Sequence, residues 1–418
     1  MAQDRAGVKR ALLIATLFPP MTGPEAMLSA KRLGNMPGWQ VDVVTLAPYP
    51  GSGDDPETGT YAASHFGRIE RLAAPWPCRL PVYATWPLFR LPDPVRWAKS
   101  RLVSRALAMG LKDHDALVSW SNWQSSHLVG LELKRRFPAL PWLAHFSDPW
   151  ARNPYNRYGA ILRRLNLALE RKVLAAADAL TFTTRETVDL MLADAPPEWR
   201  QKAHILPHAF DPGLYPPAAA IPASGRVIAR HLGYFYGPRS PRPLLAGLQL
   251  LHERAPALLD NLTIELVGGF GRGHVPGDEL AGLPAGLIRV LPPVSYRRSL
   301  ELMRTADLLI AVDAPAKVSV FLPSKLIDYV GAGRPILAIT PPGAAAAVVE
   351  QIGGWHADPS DPSGIAAALE RALTRVRRAR GAPFGDARVR NGYGIATVGR
   401  RAAAMLDELV AAKTSERA

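Results

Sequence analysis

The feature that most restricts the fold is an alternation repeated along nearly the whole chain. Short runs of aliphatic and β-branched residues are each followed by a segment with helical spacing, then by another apolar run. Residues 11–17, 40–46, 115–119, 141–145 and 179–183 read as strands, with 205–211 as a last strand and turn. Helices over 25–33, about 94–111, 126–136, 159–176 and 187–192 separate them. A Pro- and Ala-rich stretch at 212–226 interrupts the pattern. A second series then gives strands near 227–233, 262–267, 287–291, 308–312, 336–339 and 354–357, with helices near 241–254, 296–305, 324–331, 343–351 and 361–376. Strand–helix–strand units of this length require parallel sheets covered by helices on both faces. At 418 residues the chain has room for two such α/β domains. The expected division is a first domain at 1–211, a linker at 212–226, a second domain at 227–391 and a closing helical segment at 392–418. That segment places Ala402, Met405, Leu406 and Leu409 on one side of a helix.

Charge narrows the partners. The chain carries 50 basic and 36 acidic residues, a net charge of +14, and only ten of the basic residues are lysines. Arginine favours phosphate and carboxylate contacts, so anionic partners are expected: a nucleotide, a phospholipid surface or an acidic glycan. No basic run has the length of a nucleic-acid tail, and nucleic acid is not expected. Cys78 is the only cysteine, which excludes an intrachain disulfide and a cysteine zinc site. Asp113-His114-Asp115 reads as a helix–strand junction, and no metal is expected. The opening residues 8–18 read as a first strand in preference to a signal peptide. No run of about 18 apolar residues indicates a membrane span. These features imply a cytoplasmic protein with a possible peripheral place on the inner membrane face.

The most informative stretch is Phe321–Ile339. Pro323 and Ser324 mark a helix start, with Ser324 able to accept from a free amide. Leu326, Ile327 and Val330 form an apolar face, Gly331 and Gly333 end the helix, and Pro335 precedes a buried strand at 336–339. The open helix start beside Ser324 and Lys325 is a natural diphosphate cradle, where free amides, the dipole and an ammonium converge. Asp328, a turn further in, suits sugar hydroxyls. An ordinary crossover helix is the competing reading.

Other candidates lie at strand ends. The loop Phe18–Gly23, with Thr22 and Gly23, follows the first strand, where open α/β sheets bind ligands. It lacks a G-x-G-x-x-G pattern, which disfavours a dinucleotide-dependent dehydrogenase. His145 ends a strand and is either a cleft residue or a packed one. Asp148-Pro149-Trp150 follows, as an acceptor-orienting acid or as a turn with a buried Trp. His208 and Asp211 line a cleft or cap a turn. Gly268–Gly273 reads as a flexible loop. On the helix at 94–111, positions 95, 98, 102, 106 and 109 are apolar and Arg96, Lys99, Arg101 and Arg105 are basic. That pattern gives a helix packed on the sheet or, with Trp86, Phe89 and Trp97, a membrane contact.

The chain resembles the GT-B fold glycosyltransferases of the retaining family-4 type: two Rossmann-like domains facing across a cleft, with a C-terminal helix crossing back to the first. Phe18–Gly23, Asp148–Trp150, Ile205–Asp211, Gly233–Arg239 and Pro323–Arg334 carry the resemblance, with Ala306-Asp307 adding to it. It implies a nucleotide-diphosphate-sugar bound by the second domain and a glycan or lipid-linked acceptor bound by the first, with no further cofactor. On this resemblance Asp328 holds the ribose, Ser324 and Lys325 face the diphosphate, Arg239 stabilises the leaving phosphate, and Val294 and Leu322 complete the donor set. His145 and Asp148 would act on the acceptor side. Two positions depart from the family. Val320 stands where its first acid belongs, leaving Asp313 as an upstream candidate, and a second basic residue is missing near Tyr234, a charge Lys325 would supply. The expected activity is sugar transfer to a hydroxyl in polysaccharide or glycolipid assembly. The alternatives are a nucleotide-sugar epimerase and a non-catalytic binding relative.

Overall fold

The computed structural model describes residues 7–80, 91–156, 158–217, 225–271, 273–277 and 280–415. The chain falls into two compact units, Met1–Ala209 with Ile395–Ala418, and Phe210–Gly394. In the first unit the elements run β1 (Lys9–Ala15), α1 (Pro24–Leu33), β2 (Trp39–Leu46), α2 (Pro56–His65), β3 (Ile69–Leu72), α3 (Lys99–Ala108), β4 (Ala116–Trp120) and α4 (Ser125–Arg136). They continue with β5 (Trp142–Phe146), α5 (Ala160–Ala176), β6 (Ala179–Phe182), α6 (Arg185–Met191), α7 (Pro197–Gln201) and β7 (Ala203–Ile205). The strands form a parallel sheet of order β3-β2-β1-β4-β5-β6-β7.

The second unit contains β8 (Val227–Leu232), α8 (Arg242–Arg254), β9 (Leu262–Val267), β10 (Ile288–Leu291), α9 (Tyr296–Arg304), β11 (Leu308–Val312) and α10 (Ser324–Ala332). After these come β12 (Ile336–Ile339), α11 (Ala344–Gln351), β13 (Trp355–Ala357), α12 (Pro362–Arg378) and α13 (Ala387–Gly392). Its parallel sheet has the order β10-β9-β8-β11-β12-β13. The central strands β4, β5, β9, β11 and β12 are buried along their whole length, as strands covered on both faces must be.

Two elements within 48–92 do not show in the apolar pattern. Helix α2 is set by Asp55, whose side chain accepts from the Glu57 amide, and by Pro56 in the first turn. It buries only Thr58, Tyr61 and Ala62, too few for a helical stripe. Strand β3 is an edge strand, half-buried throughout. Trp86, Phe89 and part of the 212–226 stretch lie outside the described residues.

The basic helix following Asp93 starts as a 3₁₀ turn, Pro94–Ala98, and continues as α3. Val95, Ala98, Leu102, Ala106 and Met109 all enter the core of the first unit. Part of its charge is engaged locally, Lys99 with Glu132 at 3.8 Å and Arg105 with Glu70 at 3.5 Å. The apolar stripe is therefore a packing face, the first of the two readings of this helix, while Trp97 stays exposed.

The last helix, α14 (Ile395–Ser415), packs on α1 of the first unit. It buries Val398, Gly399, Ala402, Ala403, Leu406 and Leu409. Asp407 accepts from Lys9 Nζ at 2.6 Å and from Trp39 Nε1 at 3.1 Å, and Lys413 pairs with Asp178 at 3.2 Å. A Cβ on Gly399 would lie 2.2 Å from the Asn35 carbonyl oxygen. Gly399→Val is accordingly expected to destabilise the first unit by about 1–3 kcal/mol through overpacking, read in urea unfolding, whereas Ala404→Val on the exposed side should leave the midpoint in place.

Candidate functional site

In each sheet the chain order reverses once, between β1 and β4 and between β8 and β11. The loops leaving the carboxyl ends of those strands diverge, and the opening between them is where doubly wound sheets take ligands.

At the β8/β11 opening the backbone turns at Gly233, with φ of +136°. A Cβ there would approach Lys325 Nζ to 3.0 Å, so glycine leaves room for the ammonium. Helix α10 begins at Ser324, with Pro323 before it and no side chain capping it. Ser324 is thus the first helical residue and not the cap. Among the described residues its amide and that of Lys325 remain open donors at the positive end of the helix. Lys325 Nζ donates to His231 Nε2 at 3.1 Å, and His231 Nδ1 donates to the Ile310 carbonyl at 3.1 Å. Burial, and next the nearby Arg239 charge, hold the Lys325 ammonium well below its usual range, with Asp313 opposing them.

Arg239 is buried and donates to Asp313 Oδ1 from Nη2 at 2.8 Å and from Nε at 3.2 Å. Asp313 also accepts from the Ala314 amide at 2.9 Å and from Ser319 Oγ at 3.0 Å. Its role here is to orient Arg239. Asp328, buried on α10, accepts from Tyr296 OH at 3.2 Å on both oxygens. Val294 is exposed, Val320 is half-buried, and Leu322 belongs to the core. Tyr234 is half exposed and lies against Gly269.

The first unit holds a different arrangement at β1/β4. Thr22 and Gly23 are exposed, with Thr22 Oγ1 donating to the Ser52 carbonyl at 3.0 Å. Glu25, next on α1, accepts from the Asn122 amide at 3.3 Å, and the Asn122 side chain donates to Asp148 at 3.3 Å. Burial, and then the Asp148 charge, push the Glu25 carboxyl up to about 8, against the lowering effect of Arg32. Glu25, Asn122, Gln124, Trp150 and Tyr155 help to line a cavity of about 580 Å³.

His145 is wholly buried. It stacks on Trp120 at 3.7 Å, with Nδ1 at 3.0 Å from Thr181 Oγ1 and Nε2 at 3.2 Å from Arg32 Nη1. Burial, and then the Arg32 charge, keep its imidazole neutral. Arg32 also donates to the Leu206 carbonyl at 3.0 Å and meets His208 Nδ1 at 3.0 Å. His145 and His208 thus hold a buried arginine behind the loop. Trp150 is buried and donates to Asn166 at 2.8 Å, so Asp148-Pro149-Trp150 combines a half-buried acid with a packed Trp. Asp211 accepts from the Gly213 amide at 2.8 Å, a capped turn. At the Asp113–Asp115 junction, His114 Nε2 meets Asp42 at 3.0 Å and Asp115 accepts from the Arg10 amide at 2.8 Å. Among the described residues no group of three or more His, Cys, Asp or Glu is arranged to hold a metal ion.

Sequence reasoning passed over Glu25 and His231. Glu25 sits in the first turn of the helix that follows the first strand-end loop, a position that signals a ligand-facing acid. His231 lies inside a strand, where nothing in the sequence distinguishes it.

The fold and both strand-end openings define a class of two parallel-sheet α/β units, the GT-B architecture. Residues 26–207 match the family described as a glycosyl transferase 4-like domain. The D-inositol 3-phosphate glycosyltransferase of Salinispora tropica is 28% identical over 308 residues, covering 67% of this chain and 62% of that relative. Among solved structures, Anabaena HepE in complex with UDP and glucose superposes with a TM-score of 0.61 at 15% identity, covering 98% of each chain. Sucrose-phosphate synthase from Thermosynechococcus elongatus superposes with a TM-score of 0.67 at 18% identity, covering 97% of this chain and 100% of that one. The comparisons thus show a glycosyl transferase 4-like domain over residues 26–207 and a GT-B fold over nearly the whole chain.

The Glu25 shift predicts a pH dependence of stability. Between its ordinary 4.5 and about 8, the folded state keeps a proton that the unfolded state has lost, so stability falls as pH rises through that window. Asp93 (pushed up to about 6) and Glu170 (about 7), both raised chiefly by burial, act in the same direction. The unfolding temperature should fall between pH 5 and pH 8, and Glu25→Gln should flatten that fall. Equal slopes for the two proteins would refute it.

Proposed function

We propose that this chain is a retaining glycosyltransferase that moves a sugar from a nucleotide-diphosphate-sugar to a hydroxyl acceptor, in polysaccharide or glycolipid assembly of the cell envelope. The observation that carries the proposal is the convergence of Lys325, Arg239 and the uncapped start of α10 at one strand-end opening. Breaking a sugar–phosphate bond leaves negative charge on the departing nucleotide, and fixed cationic donors stabilise that charge as it develops. The UDP bound by HepE is consistent with such a donor. In this reading Ser324 and Lys325 receive the diphosphate, Arg239 the leaving phosphate and Asp328 the ribose. Val294 and Leu322 border the donor. Asp148 orients the acceptor hydroxyl beside Thr22 and Gly23, and His145 positions Arg32. No metal or cofactor enters the reaction.

The test is UDP binding followed by thermal shift and calorimetry. A ligand held by the native state raises its apparent stability. Removing a charge-assisted contact of about 1.5–3 kcal/mol should weaken UDP roughly 10- to 100-fold in Arg239→Met and in Lys325→Met. Because Lys325 is held below its usual range, an arriving diphosphate should recharge it. Calorimetry in buffers of different ionisation enthalpy should therefore show proton uptake that Lys325→Met abolishes. Donor consumption only with an acceptor supports transfer, whereas altered sugar without one identifies an epimerase. UDP binding with no turnover would favour the non-catalytic reading that Val320 suggests.

Peripheral attachment to anionic lipid belongs to the same proposal, on α5. This helix turns Asn166 and Glu170 inward and leaves Ile161 73% and Leu165 38% exposed beside Arg163 and Arg164. At low salt the protein should float with anionic vesicles, and Ile161→Glu with Leu165→Glu should abolish flotation. Flotation unaffected by the double variant would remove α5 from this role.

A further inference from the structure

The cavity in the first unit carries an unusual charge character for this chain. The protein has 50 Lys and Arg residues, yet among the described residues lining the cavity there is no Lys, Arg or His. Its polar lining consists instead of carboxyls, amides and phenols. Asn122 ties these groups together: its amide donates to Glu25, its side chain donates to Asp148, and its Oδ1 accepts from Gln124 Nε2 at 3.3 Å. The network ends at Gln124 Oε1, which is buried and has no hydrogen-bond partner among the described residues. A buried acceptor left unsatisfied carries a free-energy penalty that a ligand donor would relieve. Asp93 is already committed: its carboxylate accepts from the Ser125 amide and hydroxyl, each at 2.7 Å, and from the Val95 amide at 3.0 Å. Trp150, Tyr155 and Tyr158 add aromatic surface to the wall. The volume of about 580 Å³ falls within the roughly 300–1,000 Å³ of small-molecule sites.

Resting on the transferase reading above, we infer that this cavity takes an uncharged, hydroxyl-rich acceptor, a sugar or polyol end, and excludes a phosphorylated one. Each hydroxyl brings a proton to donate, which Glu25 and Gln124 Oε1 in the lining are placed to accept. A phosphate brings only acceptor oxygens and negative charge. It would face the Glu25 and Asp93 carboxyls with no cation among the described lining residues to balance it, and Arg32 behind Glu25 is already bound to the Leu206 carbonyl and two imidazoles. The selection is electrostatic and works by repelling the wrong ligand as much as by holding the right one.

The experiment compares matched pairs on the full chain: glucose against glucose 6-phosphate, and myo-inositol against myo-inositol 1-phosphate. Binding is followed by saturation-transfer NMR and calorimetry, with UDP thermal shift run in parallel. At least one uncharged member should bind, and its phosphorylated partner should bind at least about tenfold more weakly. Gln124→Leu should weaken the uncharged ligand by about tenfold, the loss of roughly one good hydrogen bond, without changing the UDP shift. Tyr155→Phe, a milder change in the same wall, serves as the second variant if Gln124→Leu fails to fold. Equal or tighter binding of the phosphorylated member overturns the inference, as does no binding by either uncharged compound or binding indifferent to the variants. Loss of the UDP response with sugar binding intact would instead sink the transferase reading and leave the cavity assignment standing.

Discussion

Parallel strands can be joined only by crossovers that carry the chain back over the face of the sheet, and covering both faces forces the strand order to reverse. That constraint decides where chemistry can lie in this protein. At β1/β4 and again at β8/β11 neighbouring strands send their loops in opposite directions, so backbone and side-chain polar groups gather there instead of being consumed in the ladder. In the first unit the reversal collects Glu25, Asn122 and Gln124. In the second it collects Gly233, Arg239 and Asp313, and Gly268 allows the loop after β9 to cross the same point. A Cβ on Gly268 would lie 2.1 Å from the Gly233 carbonyl oxygen.

What the sequence reveals follows from how much apolar surface each element buries. Strands β9, β11 and β12 and helix α12 bury long apolar stretches, so their periodicity is visible and their places follow from it. Helix α14 is equally legible, because Ala402, Leu406 and Leu409 fall on one stripe against the first unit. Helix α2 and strand β3 are held by a cap and by edge pairing, and neither device leaves a hydrophobic period. The same logic separates the readings of the basic helix after Asp93. Its period was visible from the sequence, but only packing could show which way the stripe faces, and it faces the core.

Side-chain roles were less legible than elements, and His145 shows why. A strand-end histidine points either to the opening or into the layer beneath a helix, and one residue of register decides between them. Here the ring lies under Arg32 and against Trp120, where burial keeps it neutral. Asp313 has a similar history. It stands close to the position of a missing sugar-contacting acid, but its oxygens are taken by Arg239, Ser319 and a backbone amide. Lys325 and Arg239, by contrast, were placed by local signals, a Pro-Ser helix start and a glycine turn, and the structure brings both to the β8/β11 opening.

The two openings share a backbone plan but have opposite electrostatics, and this difference bears on function more than the shared fold does. An arginine paired with a carboxylate, as Arg239 is with Asp313, is neutralised and stable without a ligand. Among the described residues Lys325 has a neutral imidazole as its one side-chain hydrogen-bond partner and stands near a second cation, so its charged form is poorly solvated until an anion arrives. An anion that recharges it gains a contact made in a site already desolvated and oriented, where each charge interaction is worth more than in water. Glu25 is the mirror case: burial and a neighbouring acid oppose its charged form, so a proton donor is welcome there and an anion is not. Each opening thus holds an ionisable group without full compensation, and the sign of that deficit sets the kind of ligand it can accept.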